Sequence, residues 1–265
     1  MKHILTILDK EWSEVFKNRM VLFTIIFMPL IFTILPLAML YFTGQGMSGM
    51  DAASTADVPV EFLSVCGESM TGVECMQVYV INQFLLMFMM LPVMIPVTIA
   101  AYSIVGEKAS HSLEPLLATP ITTTELLVGK SLAAALPAIL VGWLSFGVFR
   151  LGLPMIGVSS VVVGYITGAT WLLAILIAGP LMAIASVNFA IFVSSRVNDP
   201  RVAEQISALL IVPILGLLFA QIAGLIVIDK VLMLSFIGVM ILVDIGMIYL
   251  GAKIFQRENI LTRWK

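Results

Sequence analysis

The chain has 265 residues, 60% of them apolar and 11% charged, with a mean hydropathy of +1.10 and a formal net charge of −2. A soluble domain carries about 45–50% apolar and 25% charged residues, and one of this size could not hide so much apolar surface from water. An ordinary soluble fold is excluded, and no nucleic-acid partner is expected; the class is an all-α integral membrane protein, read as a single transmembrane domain over 1–265.

Residues 1–19 open the chain. In MKHILTILDKEWSEVFKNR, Ile4, Leu5, Leu8, Trp12, Val15 and Phe16 recur at helical spacing, while Lys10, Glu14 and Lys17 fall elsewhere on the wheel. The segment is not apolar enough to cross. It predicts an amphipathic interfacial helix on the inner membrane surface with Trp12 at headgroup depth; a soluble leader helix docked on another surface is the alternative. The first apolar run is too long for a signal-peptide core, and no cleavage is expected.

Six apolar runs follow, at roughly 20–42, 79–105, 130–152, 168–193, 205–228 and 231–252, each long enough for a tilted transmembrane helix. With the N-terminus inside, every Lys and Arg except Arg150 and Lys230 falls in an inner segment. The extracytoplasmic loop, 43–78, holds Asp51, Asp57, Glu61, Glu68 and Glu74 and no Lys or Arg. That asymmetry predicts cytoplasmic N- and C-termini. Cys66 and Cys75 lie in the same loop, in CGESMTGVEC. Outside the cell they can close a small disulfide ring, and two free thiols are the alternative.

The second run crowds Met87, Met89, Met90 and Met94 between Gln83 and Pro96. Flexible thioethers suit a path for varied apolar substrates, but Met on a lipid-facing helix is ordinary, and both readings are open. Pro92 and Pro96 predict a kink.

After it comes GEKASHSLEPLLATPITTTELLVGK, 106–130, followed by Ser131. A phosphate loop ends in Gly-Lys-Ser, but it needs a Gly where this chain has Thr124, and it joins a strand to a helix. Here Thr122 and Glu125 form the Ser/Thr-x-x-Glu capping box of a helix start. Lys130 then falls at the inner mouth of the third span, where a Lys can snorkel to lipid phosphates. No nucleotide is expected to bind this chain. Ser112 is a suitable N-cap, Glu114 and Pro115 suit a first turn, and Leu113, Leu116 and Leu117 give a short helix an apolar face. Such a helix is marginal alone and needs a surface, either the chain's own inner face or a docked cytosolic subunit.

The inner loop SSRVNDPRVAEQIS, 194–207, follows the same logic: Asn198 or Asp199 can cap, Pro200 suits the first helical position, and Arg201 and Glu204 present charge to the cytoplasm. In the fifth run Gly216, Ala220 and Gly224 are four apart, a small-residue stripe that serves either a permease–permease interface or packing within one chain, with Gln221 hydrogen-bonding beside it. Asp244 is the clear acid of the sixth run. Ionised at mid-bilayer, such a group costs about 2.5–3.5 kcal/mol on insertion scales, so it should face protein or water, pair or stay protonated; it serves either a cationic substrate or an ion, or else a structural hydrogen bond.

The 106–130 stretch resembles the G-E-K-x-x-x-T-L-E-x-L-L-x-x-P-x-x-x-x-E-L-x-x-G-K segment of the membrane-spanning permeases of type-2 ABC exporters. The matching positions are Gly106, Glu107, Lys108, Leu113, Glu114, Leu116, Leu117, Pro120, Glu125, Leu126, Gly129 and Lys130, with Ser112 in place of the usual Thr. KEWSEVFKNR and SSRVNDPRVAEQIS look like the same family, so the resemblance spans nearly the whole chain. It implies a non-catalytic permease of a prokaryotic cell membrane, surrounded by lipid, that pairs with an identical or homologous permease and binds two separate cytosolic ATPase subunits. ATP and Mg would be bound by those subunits, with no cofactor in this chain. The short helix would be the coupling helix, so that Glu107, Ser112, Leu113, Glu114, Leu116 and Leu117, with Asp199 and Arg201 of the other loop, become the expected ATPase-coupling residues. A secondary transporter or channel is the alternative, and would carry several intramembrane charges where Asp244 alone is evident. An intramembrane enzyme lacks its parts: His3 and His111 fall in the cytoplasm, no H-E-x-x-H occurs, and neither Cys lies in a span.

Overall fold

The computed structural model describes residues 2–46, 66, 70–109 and 122–254. Among them there is no strand. The helices are α1 (Lys2–Val15), α2 (Arg19–Gly46), α3 (Gly72–Ala109), α4 (Thr123–Met155), α5 (Ser160–Ile166), α6 (Ala169–Leu173), α7 (Gly179–Ser194), α8 (Pro200–Ser207), α9 (Val212–Ile222) and α10 (Lys230–Ile254). A π turn, Ala174–Ala178, joins α6 to α7, and a 3-10 turn, Ala208–Ile211, joins α8 to α9. Among the described residues six segments are long and apolar enough to cross a bilayer: Val21–Gly44, Gly72–Glu107, Glu125–Met155, Ser160–Ser194, Pro200–Ile222 and Lys230–Gly251. Only helices or closed barrels satisfy their backbone inside lipid, and these six segments are helical.

The central element is α3, which packs against α2, α4, α7, α8 and α9 and is the most enclosed of the six segments. It is apolar all round, which is what a helix with neighbours on every side requires. Met89 and Met90 are buried within it and Met87 and Met94 half-buried, so the methionines fill the bundle interior rather than facing lipid. At mid-bundle the rings of Phe88, Phe146, Phe149 and Trp171 cluster, with centroids 5.2 to 6.3 Å apart in tilted, edge and stacked pairs. The least enclosed segment is α10, which rests on α6, the π turn and α7.

Proline is spread through these helices, and a proline inside a helix withholds the N–H that an upstream carbonyl expects. Three of those carbonyls are met by side chains from other helices. Pro96 leaves the Pro92 carbonyl, which accepts from Ser186 Oγ at 3.3 Å; Pro137 leaves that of Ala133, which accepts from the Trp12 indole at 3.0 Å. In the π register, where bonds reach five residues back, Pro180 leaves the Ile175 carbonyl, which accepts from the Trp143 indole at 3.0 Å. A defect in one helix thus becomes a fixed contact between two, because an orphaned carbonyl in lipid is costly.

The segment ends depart from the sequence expectation where polar residues continue a helix. α3 starts at Gly72 rather than near 79, because Thr71 and Glu74 form a capping box: Glu74 Oε2 accepts from the Thr71 N–H at 2.8 Å, and Thr71 Oγ1 accepts from the Glu74 N–H at 3.3 Å. This box lies beside the disulfide between Cys66 and Cys75, whose Cα atoms are 5.4 Å apart. The fourth segment begins at Ser160 rather than 168 and breaks at Gly168, where a Cβ would lie 2.8 Å from the Tyr165 carbonyl oxygen. The fifth begins at Pro200 and its helix ends at Ile222. Gly224 is beyond that end at φ +72°, and the Leu225 N–H closes on the Ala220 carbonyl at 2.9 Å. The expected stripe of Gly216, Ala220 and Gly224 along one helix is therefore corrected: Gly224 terminates the helix, and two of the three positions remain on it.

Candidate functional site

The loop between α3 and α4 leaves α3 at its C-terminal end and enters α4 at its N-terminal end. At both roots the structure builds a cluster of charge. Lys130 of α4 is 6% exposed, and its ammonium meets three acceptors: Glu11 Oε1 of α1 at 2.7 Å, Glu107 Oε2 of α3 at 2.8 Å, and Ser103 Oγ of α3 at 2.9 Å. Ser103 donates in turn to Glu11 Oε2 at 2.6 Å. Lys10 of α1 reaches Glu107 Oε1 at 2.5 Å and Glu14 at 3.8 Å. Two ammonium groups thus face the two buried carboxylates of Glu11 and Glu107, which removes the net charge that burial would otherwise penalise.

The surrounding sequence makes the cluster possible. Gly129 precedes Lys130, and a Cβ there would lie 2.9 Å from Ile7 Cγ2, so Gly129 lets α1 approach α4 closely enough for Glu11 to reach Lys130. Ile7, Glu11 and Val15, four apart, are the buried face of α1, and the Trp12 indole locks the same helix to the Ala133 carbonyl. Leu5 and Phe16 of the expected apolar face remain exposed. The Thr122–Glu125 box is present: Glu125 Oε2 accepts from the Thr122 N–H at 3.0 Å and Thr122 Oγ1 accepts from the Glu125 N–H at 3.2 Å. At Lys10, burial lowers the pKa, but the hydrogen bond and charge of Glu107, with Glu14 and Glu11 nearby, outweigh it and hold the ammonium above the ordinary Lys value.

Two expectations are corrected here. Lys130 does not snorkel; it is buried, and its partners are carboxylates of the chain. Trp12 spends its indole N–H on α4 rather than on headgroups. Ser103, Glu11 and Lys10 were missed as site residues, and the one local signal was a Glu11 facing inward in register with Ile7 and Val15.

The other expected residues are spread around the molecule. Ser112, Leu113, Glu114, Leu116 and Leu117 lie outside the described residues. Asp199 caps α8, its Oδ1 accepting from the Arg201 N–H at 2.7 Å, and Arg201 is exposed. Glu204 does not present its charge outward: its Oε1 accepts from Thr98 Oγ1 of α3 at 2.6 Å. α8 is thereby fixed to α3, and Ala203 packs with Ala101, Val105 and Val193. Gly216 is exposed with open space around it, and Ala220 is half-buried. Gln221 is 2% exposed, yet its amide finds no hydrogen-bond partner among the described residues, against the bond expected of it. Asp244 is 5% exposed and likewise unpartnered at both oxygens among the described residues.

Six apolar helical segments among the described residues, with a buried charge cluster that ties the chain's first helix to α3 and α4, define a multi-pass membrane protein. The chain belongs to the ABC-2 family transporter proteins, whose family model matches residues 5–261. It is accordingly a transmembrane permease subunit of an ABC transporter, and permeases of this family generally work with ABC ATPase partners. No curated protein matches the chain.

Proposed function

We propose that this permease is the membrane half of an ATP-driven exporter, moved by two separate cytosolic ATPase subunits that bind ATP and Mg. Its N- and C-termini then lie in the cytoplasm of a prokaryotic cell, and a second permease, identical or homologous, completes the path. The observation that carries the reading is the charge cluster of Lys10, Glu11, Ser103, Glu107 and Lys130. It joins both roots of the 110–121 loop to α1, so a push on that loop displaces α1, α3 and α4 together instead of bending the loop. α8, capped by Asp199 and fixed to α3 through Glu204, offers a second load-bearing contact, with Arg201 exposed where it can meet an acidic partner.

In this scheme Glu107 has a changed role. Its carboxylate is engaged inside the cluster, so it transmits force rather than touching the ATPase, and the contact falls to Ser112, Leu113, Glu114, Leu116 and Leu117. ATP-driven closure of the ATPases biases the helices between inward- and outward-open arrangements. Co-purification of the tagged permease with its ATPase tests the scheme. Glu114→Arg with Leu116→Asp is expected to abolish the complex while the isolated permease keeps its melting temperature. Retained co-purification in that variant would overturn the docking role of the loop.

A further inference from the structure

We propose that the groove between α4, α7 and α10 binds a lipophilic cation, with Asp244 as its counter-charge. This rests on the permease reading and names the substrate class. The groove has a volume of about 390 Å³, and its walls include Leu132, Ala135, Phe189, Phe192, Met247 and Ile248. The polar side chains on its lining are Ser131 and Asn188. Asn188 donates its amide N–H to the Ile184 carbonyl at 3.0 Å, so the acceptor its side chain has to offer is the amide oxygen. Phe192 already carries one cation on its ring: the Arg196 guanidinium stacks 5.1 Å from the centroid. Arg196 is itself exposed, so solvent screens its charge from the groove.

Asp244 supplies the sign. Asp244, Met247, Ile248 and Gly251 share one face of α10, and the last three line the groove; neighbours at this spacing have Cβ atoms about 5–6 Å apart. Both oxygens of Asp244 are buried and unpartnered among the described residues. The elements packed on α10 are α6, the π turn and α7, and their residues from Ala169 to Ser194 include no titratable or charged side chain. Among the described residues, Asp244 is thus a buried acid with no hydrogen-bonding or basic partner. A neutral acyl chain in the groove would leave that acid uncompensated, and an anion would be repelled. An apolar body bearing a positive charge satisfies the walls and the carboxylate together, and through a low-dielectric medium the attraction acts without direct contact.

The test is equilibrium binding of tetraphenylphosphonium to the purified full-length permease in nanodiscs, with tetraphenylborate as an isosteric anion. Saturable binding is expected, and Asp244→Asn should weaken it by about tenfold or more, the size of effect that one nearby charge gives. Asp244→Glu should retain affinity to within about threefold, since the charge is kept. Leu132→Trp, which fills the groove, should abolish binding, and tetraphenylborate should not compete. Melting temperatures check that each variant is folded; if Asp244→Asn fails to fold, the groove variant and the anion competition still decide. Absent binding by the unaltered protein, equal affinity in folded Asp244→Asn, unchanged binding in Leu132→Trp, or equal competition by tetraphenylborate, the mark of a groove that is merely apolar, would each overturn the proposal. Binding needs no ATPase, so its failure leaves the co-purification result standing, and loss of ATPase binding leaves this one standing.

Discussion

Glu107 and Asp244 are carboxylates buried to almost the same degree, 4% and 5% exposed, in the same bundle. Glu107 is met by Lys10 and Lys130, cations that the chain brings from two other helices. Asp244 is met by none among the described residues. The contrast separates two uses of charge in a membrane protein. A carboxylate with its cations built in ties elements together, and one without them costs stability that a passive scaffold has no reason to bear.

The two should therefore respond to mutation with opposite sign. Lys130→Met leaves Glu11 and Glu107 facing each other without their shared cation, and breaking a buried pair in this way costs about 3–5 kcal/mol. Thermal or denaturant unfolding of the purified permease is expected to register that loss, with partial recovery when Glu107→Gln is added, since the two positions share one interaction. A loss below about 1 kcal/mol would mean that the cluster is incidental. Asp244→Leu removes a buried unpaired group and should raise stability by about 1–3 kcal/mol in the same assay; a fall would place a structural partner at Asp244 and erase the contrast.

Smaller effects sharpen the comparison at its edges. Trp12→Phe keeps the ring but orphans the Ala133 carbonyl, and is expected to cost about 1–2 kcal/mol, with faster hydrogen exchange in α1 as the local readout. No change in α1 exchange would separate this contact from the docking of α1. The smallest effect is at Lys10, whose pKa is raised in the folded state. A group raised on folding stabilises fully below its unfolded value, near 10.5, and the contribution is lost as pH rises through the higher folded value. Between pH 10 and 12 the unaltered protein should lose melting temperature more steeply than Lys10→Met. Parallel curves would remove Lys10 from the cluster.

Much of the fold was legible because the signals were local. Six apolar runs marked six spans, and Thr122 with Glu125, three residues apart, marked the start of α4 as they stand in the structure. The Thr71–Glu74 box is equally local, but it lies outside the apolar run at 79–105 that marks the second span. What stayed hidden was pairing across the bundle. Lys130 was read against lipid because its partners Glu11 and Glu107 are 119 and 23 positions away, and nothing near Lys130 announces them. Gly224 fitted a four-residue spacing that ignores where a helix stops, and its positive φ is a property of the turn. Trp12, Trp143 and Ser186 are bonded to carbonyls that prolines release, a relation visible only once the helices are side by side.

The role proposed for the charge cluster is to carry an ATPase's motion into α3 and α4. It is tested most directly by reconstituting the permease–ATPase complex in liposomes and measuring transport per ATP hydrolysed for the charge-neutral pair Glu107→Gln with Lys130→Met. The complex is expected to assemble and hydrolyse ATP while transport per ATP falls by about tenfold or more, a coupling loss of about 1.4 kcal/mol at least. An assembled complex whose transport per ATP matches that of the unaltered protein would contradict it.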